Sequence, residues 1–443
     1  MGNKITTAYL EELVHTKNRI LLLQGPVSSF FHDFSQWLSV QHHKTVFKIN
    51  FNYGDEFFYP ENTKNTFAYR DTYQEFAAFL SRFIDTHNIQ AVMCFGDNRP
   101  YHIVAKEIAK QKDLSFWVFE EGYFRPFYIT LEKSGVNNFS PLPRSADFYR
   151  QALPKLRVRQ YQAPPAVKGG FIPMAKCAAL YYFAARKNRD KYPHYIHHRN
   201  SSLRYYIKSW TISGLKRANY IFEDRKFAQQ VANGKYGKFF ILPLQVMNDS
   251  QVKVHSDFSS VRSFLEHVLS SFATHAPEDT NLIVKHHPMD RGFIDYRKDI
   301  NRFIKAHPKL KGRVFYVHDT PLPVFLRYGI GMVTLNSTSG LSALIHDMPV
   351  KVIGRANYDI AGITAQNSLA EFWNHPIPPD KELFHAFRMY HINVTQINGS
   401  FYSKVHLPAA HSIYKPLHEQ KPLHEQKPLP KKLKNWRTSE NCF

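Results

Sequence analysis

Four short stretches of this chain combine residue types and spacings that suit chemistry on a phosphorylated substrate. Glu120 and Glu121 stand side by side before Gly122. Two adjacent acids beside a glycine are uncommon as buried structure, and one could act as general base toward a hydroxyl. A loop that is acidic by chance is the plain alternative. Gln245 and Asp249 follow an apolar run, with three residues between them. A carboxylate at such a strand end can be a nucleophile or a base, or can simply cap the next element. Lys285, His286, His287 and Arg291 fall close together, and Pro288 fixes the turn after His287. Such a cluster can hold a leaving phosphate and balance its charge; a solvated basic loop would look the same. Adjacent histidines on an extended chain face opposite ways, and no HExxH or carboxylate triad accompanies them, so no metal site is expected. Asn336, Ser337, Thr338, Ser339 and Gly340 lie between a strand pattern and a helix pattern. Their hydroxyls and N–H groups suit a phosphate, although Ser and Thr are also ordinary N-caps. A last group, Gln24, Gly25, Asp55, Asp97, Arg99 and Arg125, falls at neighbouring strand ends and could line an acceptor pocket. Neither G-x-G-x-x-G nor a P-loop occurs.

The elements that must position these residues alternate between strand and helix. Apolar runs at 19–23, 45–50, 90–95 and 114–119 read as strands, with helical spacing at 30–40, 73–86 and 103–112 between them. Asn52 to Asp55 reads as a loop. The pattern resumes with strands at 238–244, 281–284, 314–317, 331–334 and 349–353. Alternation of this kind predicts two doubly wound, Rossmann-like α/β domains, whose sites lie beyond the carboxyl ends of the strands. The expected division is an acceptor-side domain over 1–150, a basic helical segment over 151–237, and a nucleotide-binding domain over 238–365. Helices over 366–410 would pack back on the first domain. A tail over 411–443 repeats Lys-Pro-Leu-His-Glu-Gln twice and reads as disordered.

Composition sets further bounds. The 443 residues are 43% hydrophobic, with 36 Phe and 25 Tyr, which excludes a wholly disordered chain. The net charge of +22 predicts a polyanionic neighbour. Residues 151–240 hold 18 Lys/Arg against 3 Asp/Glu, so most of that charge is concentrated in one stretch. The same stretch is rich in Tyr, Phe and Trp, a mixture that suits an anionic membrane surface or, more plainly, solvated helices. No recognition helix or RNA-stacking sheet is visible, so nucleic acid is not the expected partner. Cys94, Cys177 and Cys442 are far apart and give no disulfide framework. The N-terminal residues carry acids and lack an apolar core, so no secretion signal is expected. The longest apolar run is nine residues, against the about 20 a spanning helix needs.

Taken together, Glu120-Glu121-Gly122, Gln245-x-x-x-Asp249, His287-Pro288 and Ser337-Thr338 resemble, in order and kind, the motifs of bacterial β-Kdo transferases of capsule assembly. The likeness is to the short, single-module KpsS/LipB type. It extends through CFGDNRPYH, FEEGYFRPFYIT, LQVMNDSQ, VKHHPMDRG and LNSTSGLSALIH, and runs from about Leu21 to Tyr402. Bacterial sialyltransferases share the acid-acid-Gly and His-Pro motifs, and the Gln245-x-x-x-Asp249 spacing favours Kdo over them. The resemblance implies a GT-B-like fold and a retaining glycosyltransferase that uses CMP-β-Kdo, without a metal or other cofactor. It implies lysophosphatidylglycerol as acceptor and a first Kdo residue on the linker that anchors a capsule chain. The expected location is peripheral, on the cytoplasmic face of the inner membrane, alongside other capsule assembly and export proteins. By the same resemblance Asp249 is the nucleophile and Glu120 or Glu121 the acid/base. His287 meets the CMP phosphate, and Ser337 and Thr338 bind the nucleotide.

Overall fold

The computed structural model describes residues 7–155, 167, 170–197, 203–247, 252 and 255–407. Asp249, part of the basic segment and the repeat tail lie outside the described residues.

The first unit contains α1 (Ala8–Thr16), β1 (Arg19–Leu22), α2 (Phe30–Gln36), β2 (Thr45–Asn50), α3 (Tyr53–Phe58), β3 (Thr66–Ala68) and α4 (Phe76–Thr86). It continues through β4 (Ala91–Phe95), α5 (Pro100–Gln111), β5 (Ser115–Glu121), β6 (Tyr128–Lys133) and α6 (Ala146–Ala152). Two helices follow, α7 (Phe171–Lys187) and α8 (Leu203–Ala232). The second unit is β7 (Lys238–Pro243), α9 (Val261–His275), β8 (Thr280–Lys285), α10 (Arg297–Ala306), β9 (Val314–Val317), α11 (Leu322–Tyr328), β10 (Gly331–Thr334), α12 (Ser339–Ile345) and β11 (Val350–Val352). The described chain closes with α13 (Leu369–Asn374), α14 (Lys381–Val394) and β12 (Gln396–Asn398).

Each unit is built on one sheet. In the first, β3-β2-β1-β4-β5 are parallel neighbours, and β6 and β12 extend the β5 edge antiparallel. In the second, β9-β8-β7-β10-β11 are all parallel. Both parallel sets start centrally, wind to one edge and then to the other. This places the topological switch points between β1 and β4 and between β7 and β10, where an open α/β sheet leaves a crevice. The central strands are apolar on both faces because helices cover both. The architecture is two Rossmann-like units in a GT-B-like arrangement.

Several elements differ from the sequence expectation. The stretch read as a loop at Asn52 is α3, with the Asn52 side chain accepting from the N–H groups of Gly54 and Asp55 at 2.7 and 3.2 Å. The strand ending at Phe119 continues through Glu120 and Glu121, because β6 pairs Glu120 with Thr130 and Glu121 with Ile129. Of the helices expected to pack back on the first unit, α13 stays with the second. Trp373 packs there against Phe240 and Phe272, and its indole N–H donates to Ser271. Only α14 and β12 return, α14 against Tyr149 of α6 and β12 beside β6.

The basic segment is also more deeply integrated than a membrane-facing appendage. Tyr181 of α7 and Tyr195 reach into the first unit, and α8 lays Ser209, Ser213, Tyr220 and Asp224 against the second. No helix among the described residues is long and apolar enough to cross a membrane.

Candidate active site

The two units meet near the carboxyl ends of their sheets, where the His255 ring contacts Asn98 Nδ2 and Phe139, and open α/β sheets place their sites in the crevice beyond those strand ends. On the second-unit wall, the loop after β7 is tied at two places. Gln245 Nε2 donates to Asn336 Oδ1 at 2.7 Å, bridging β7 and β10 across the switch point. The Met247 N–H donates to Asp290 Oδ2 at 2.6 Å. The stretch leading to Asp249 is thereby anchored to both the His-Pro turn and the Asn336–Gly340 turn. The Gln245 Oε1 atom is buried without a hydrogen-bond partner.

His287 caps the short turn Pro288–Asp290, and its Nδ1 accepts from the Met289 N–H at 3.2 Å. That bond places the ring proton on Nε2, which makes Nε2 the donor. Burial, then Lys285, His286 and Arg125, holds its pKa down at about 3. The neighbouring basic residues have partners of their own. The Lys285 ammonium donates to the His318 carbonyl at 3.2 Å. His286, 1% exposed, has its Nδ1 2.6 Å from the Tyr316 hydroxyl. Arg291 is paired with Asp319 and donates to Ser213 Oγ of α8. Lys285, His286 and Arg291, expected at the donor phosphate, are each tied in part to β9, the 318–320 turn or α8. His286 Nε2 and Arg291 Nε are buried and make no hydrogen bond among the described residues.

In the last turn, Ser337 Oγ lies 3.2 Å from Ser339 Oγ and accepts from the Ser339 N–H. Thr338 makes no capping bond. The Gly340 N–H donates to the Ser337 carbonyl at 3.0 Å, which also accepts from Tyr358 at 2.5 Å. A Cβ at Gly340 would stand 2.4 Å from the Tyr358 hydroxyl. The glycine therefore permits a packing contact, and its N–H is not free for a phosphate.

On the first-unit wall, Glu120 and Glu121 point to opposite faces of β5, as alternation requires. Glu121 accepts from the Tyr402 hydroxyl at 3.0 Å on the face that also buries Trp117 and Phe119. Glu120 lies over Gly96 and, among the described residues, accepts from the Glu121 N–H at 2.9 Å. Burial pushes its pKa up to about 7; the charges of Glu121 and Asp97 push the same way, and Arg125 opposes them. Arg125 is exposed and its Nε donates to the Gly122 carbonyl at 3.2 Å. The Arg125 charge lowers the pKa of both Glu120 and His287, groups that come from different units.

The remaining first-unit residues divide. Asp97 is 3% exposed and its pKa is raised by burial, against the opposing Lys106 ammonium 3.5 Å away. Its Oδ1 is buried and unpartnered. The Arg99 guanidinium donates to the Gly25 carbonyl and lies over the Phe95 ring. Gly25 accommodates the Phe31 ring, which a Cβ would meet at 2.8 Å. Gln24 and Asp55, expected in the acceptor pocket, are bonded to the tyrosines of the helical segment. Tyr181 donates to Asp55 Oδ1 at 2.8 Å, the Phe51 N–H donates to Oδ2, and Gln24 Nε2 bonds both carboxylate oxygens and both tyrosine hydroxyls. This buried polar knot fastens α7 to the ends of β1 and β2.

Two contributors were missed by sequence reasoning. Asp290 was visible inside the His-Pro stretch, but its link to Met247 was not. His255 carried no motif. Its carbonyl accepts from Asn336 Nδ2 and the Arg355 N–H, and its ring meets Asn98 Nδ2 at 3.3 Å and Phe139 across the cleft. Among the described residues no group of His, Cys, Asp and Glu could hold a metal ion.

A two-unit α/β molecule with this motif set falls within a recognised class. Residues 90–402 match the family described as capsule polysaccharide biosynthesis protein, and the chain belongs to that family. It is 65% identical over 399 residues, 90% of this chain and 95% of the relative, to the capsule polysaccharide modification protein LipB of Neisseria meningitidis serogroup A. It is 39% identical over 386 residues, 87% of this chain and 97% of the relative, to the capsule polysaccharide export protein KpsS of Escherichia coli. Among solved structures, a β-Kdo 2,7-transferase, KpsC of Thermosulfurimonas dismutans, aligns over 83% of this chain and 99% of its own, at 12% identity and a TM-score of 0.38. That distance carries no argument about chemistry.

Proposed function

We propose that this chain is a retaining glycosyltransferase that moves Kdo from CMP-β-Kdo to a lysophosphatidylglycerol acceptor, starting the linker of a capsular polysaccharide. The observation that supports a transfer reaction is Glu120, a carboxyl raised to about 7, at the end of β5, together with His287, a neutral donor at the end of β8, both under the influence of the Arg125 charge. The donor and acceptor identities rest on the motif resemblance and on membership of a capsule family.

In the first displacement the Asp249 carboxylate attacks the anomeric carbon. The bond to CMP breaks, and its electron pair leaves with the phosphate. The His287 Nε2–H, with the hydroxyls of Ser337 and Thr338, meets that phosphate. In the second, Glu120 takes the proton of the acceptor hydroxyl, whose oxygen attacks the same carbon from the other face and releases Asp249. Two inversions give retention. A base with a pKa near the working pH is the efficient choice, which favours Glu120 over the Tyr402-bound Glu121. Asp97 and Arg99, beside Glu120, are the remaining acceptor-side groups. The reaction belongs at the cytoplasmic face of the inner membrane, where donor and lipid meet.

The test combines purified protein, CMP-Kdo generated in situ and fluorescent lysophosphatidylglycerol. A mass gain of one Kdo, absent with Asp249→Ala, is expected. No product from a folded, CMP-binding protein would overturn the donor–acceptor assignment. It would leave a related CMP-sugar transferase, or the export role that the KpsS name carries, to be examined next.

A further inference from the structure

The face that helix α8 buries is largely polar at Ser209, Ser213 and Asp224, with Tyr220 and Val231 beside them. Ser213 accepts from Arg291, and Asp224 accepts from the Asp319 N–H and the Thr320 hydroxyl. Phe227 and Val231 pack inward, but other large apolar side chains of α8 point outward: Leu215 is 69% exposed and Phe222 75%. Helix α7 also presents large apolar side chains outward. It buries Tyr181 and Ala184 and exposes Ile172 at 76% and Phe183 at 65%. Of the 17 large hydrophobic side chains exposed among the described residues, ten lie between Phe171 and Phe222. The two helices meet where Phe171 packs on Trp210.

Water-soluble helices turn such residues inward, so an outward apolar face calls for an apolar phase or a partner. The charges around it choose between them. Lys176, Arg186, Lys187, Lys208, Arg217, Arg225 and Lys226 flank the apolar side chains, opposed on these helices only by Glu223 and the inward Asp224. A second copy would bring these cations face to face, which costs affinity. An anionic bilayer offers counter-charge at its surface and hydrocarbon just beneath. At 1.5 Å per residue, the exposed apolar side chains of α8, from Tyr205 to Phe222, spread over roughly 25 Å, a shape suited to a plane rather than a pocket.

We propose that the outward faces of α7 and α8 form an interfacial docking surface for an anionic phospholipid bilayer. The proposal deepens the reading of a membrane-lipid acceptor, and its test does not depend on transfer. The full chain is sedimented with vesicles of equimolar phosphatidylglycerol and phosphatidylcholine, and with phosphatidylcholine alone. Wild type binds the anionic vesicles. Leu215→Glu/Phe222→Glu and Ile172→Glu/Phe183→Glu each weaken that binding about tenfold or more. Arg186→Ala/Lys187→Ala/Arg189→Ala weakens it and flattens its salt dependence. All seven positions carry exposed side chains, so the thermal midpoint stays within about 2 °C of wild type. Equal binding by the apolar variants, or no wild-type binding, overturns the proposal. So does light scattering that shows a wild-type dimer dissociated by these substitutions, since the face would then be a self-interface.

Discussion

Glu120 and Glu121 differ by one residue and therefore by one face of β5. The sequence shows two adjacent acids; it does not show that the strand runs on through them, and only that fact decides which one enters the cleft. The deciding partner, β6, aligns Glu120 with Thr130. The resulting prediction concerns pH. A base must be ionised to accept a proton, and Glu120, raised to about 7, ionises across neutrality. The acid limb of kcat/KM for transfer should therefore bend near pH 7. Because Arg125 holds that pKa down, Arg125→Ala should move the bend upward by roughly half a pH unit. Glu120→Gln should lower kcat by about 100-fold or more, and Glu121→Gln far less. A limb that stays in place in Glu120→Gln would assign it to another group. The basic cluster teaches the same lesson from the other side. In sequence, Lys285, His286 and Arg291 show nothing of the contacts they make with His318, Tyr316, Asp319 and Ser213, because those residues are far away along the chain.

At the scale of elements, nearly every parallel strand was legible, because strands covered on both faces are apolar without interruption. The edge was not. β6 carries Glu132, and β12 is three residues long, so neither shows a strong pattern. Their junction with α14 holds a buried acid. Glu132 is fully buried, 3.9 Å from His391 Nδ1, and burial raises its pKa to about 8. Burial drives His391 the other way, to about 3, so the histidine offers no positive charge at neutral pH. A carboxyl with a raised folded pKa binds its proton more tightly in the folded state. Glu132 therefore costs nothing at low pH, and the protein loses stability as pH rises from about 4.5 to about 8. Glu132→Gln, which keeps the shape without the charge, should remove part of that slope. Its gain over wild type should grow across this window to a few kcal/mol on the order of what such shifts imply. Urea unfolding at pH 5 and pH 8.5 measures it; equal slopes in both proteins would show that Glu132 finds compensation inside the fold.

The whole molecule brings together what neither unit owns. Each sheet supplies a switch point, and the returning α14 and β12 join the second unit's chain to the first unit's edge. Sequence alternation predicted two units, but their relation depends on side chains without motifs. His255 is the clearest of them. Through its carbonyl it belongs to the donor wall, tied to Asn336 and Arg355. Through its ring it belongs to the other wall, against Asn98 and Phe139. Burial lowers its pKa to about 4, with Arg355, Arg144 and Lys106 adding to the effect, so the contact is one between neutral groups at physiological pH. Asn98→Ala removes the polar one of these two contacts and leaves the donor wall intact. If the contact fixes how the walls face each other, CMP affinity should stay within about twofold while transfer falls roughly tenfold, since misalignment is felt in the reacting geometry before it is felt in binding. His255→Ala should cost at least as much transfer, because it leaves Asn98 without its partner and Phe139 without its edge contact. The two substitutions together should then be no worse than His255→Ala alone, the signature of residues acting as a pair. A matching loss of CMP affinity in Asn98→Ala would instead mean that the contact holds the donor wall itself in shape, and that the two units are less separable than their sheets suggest.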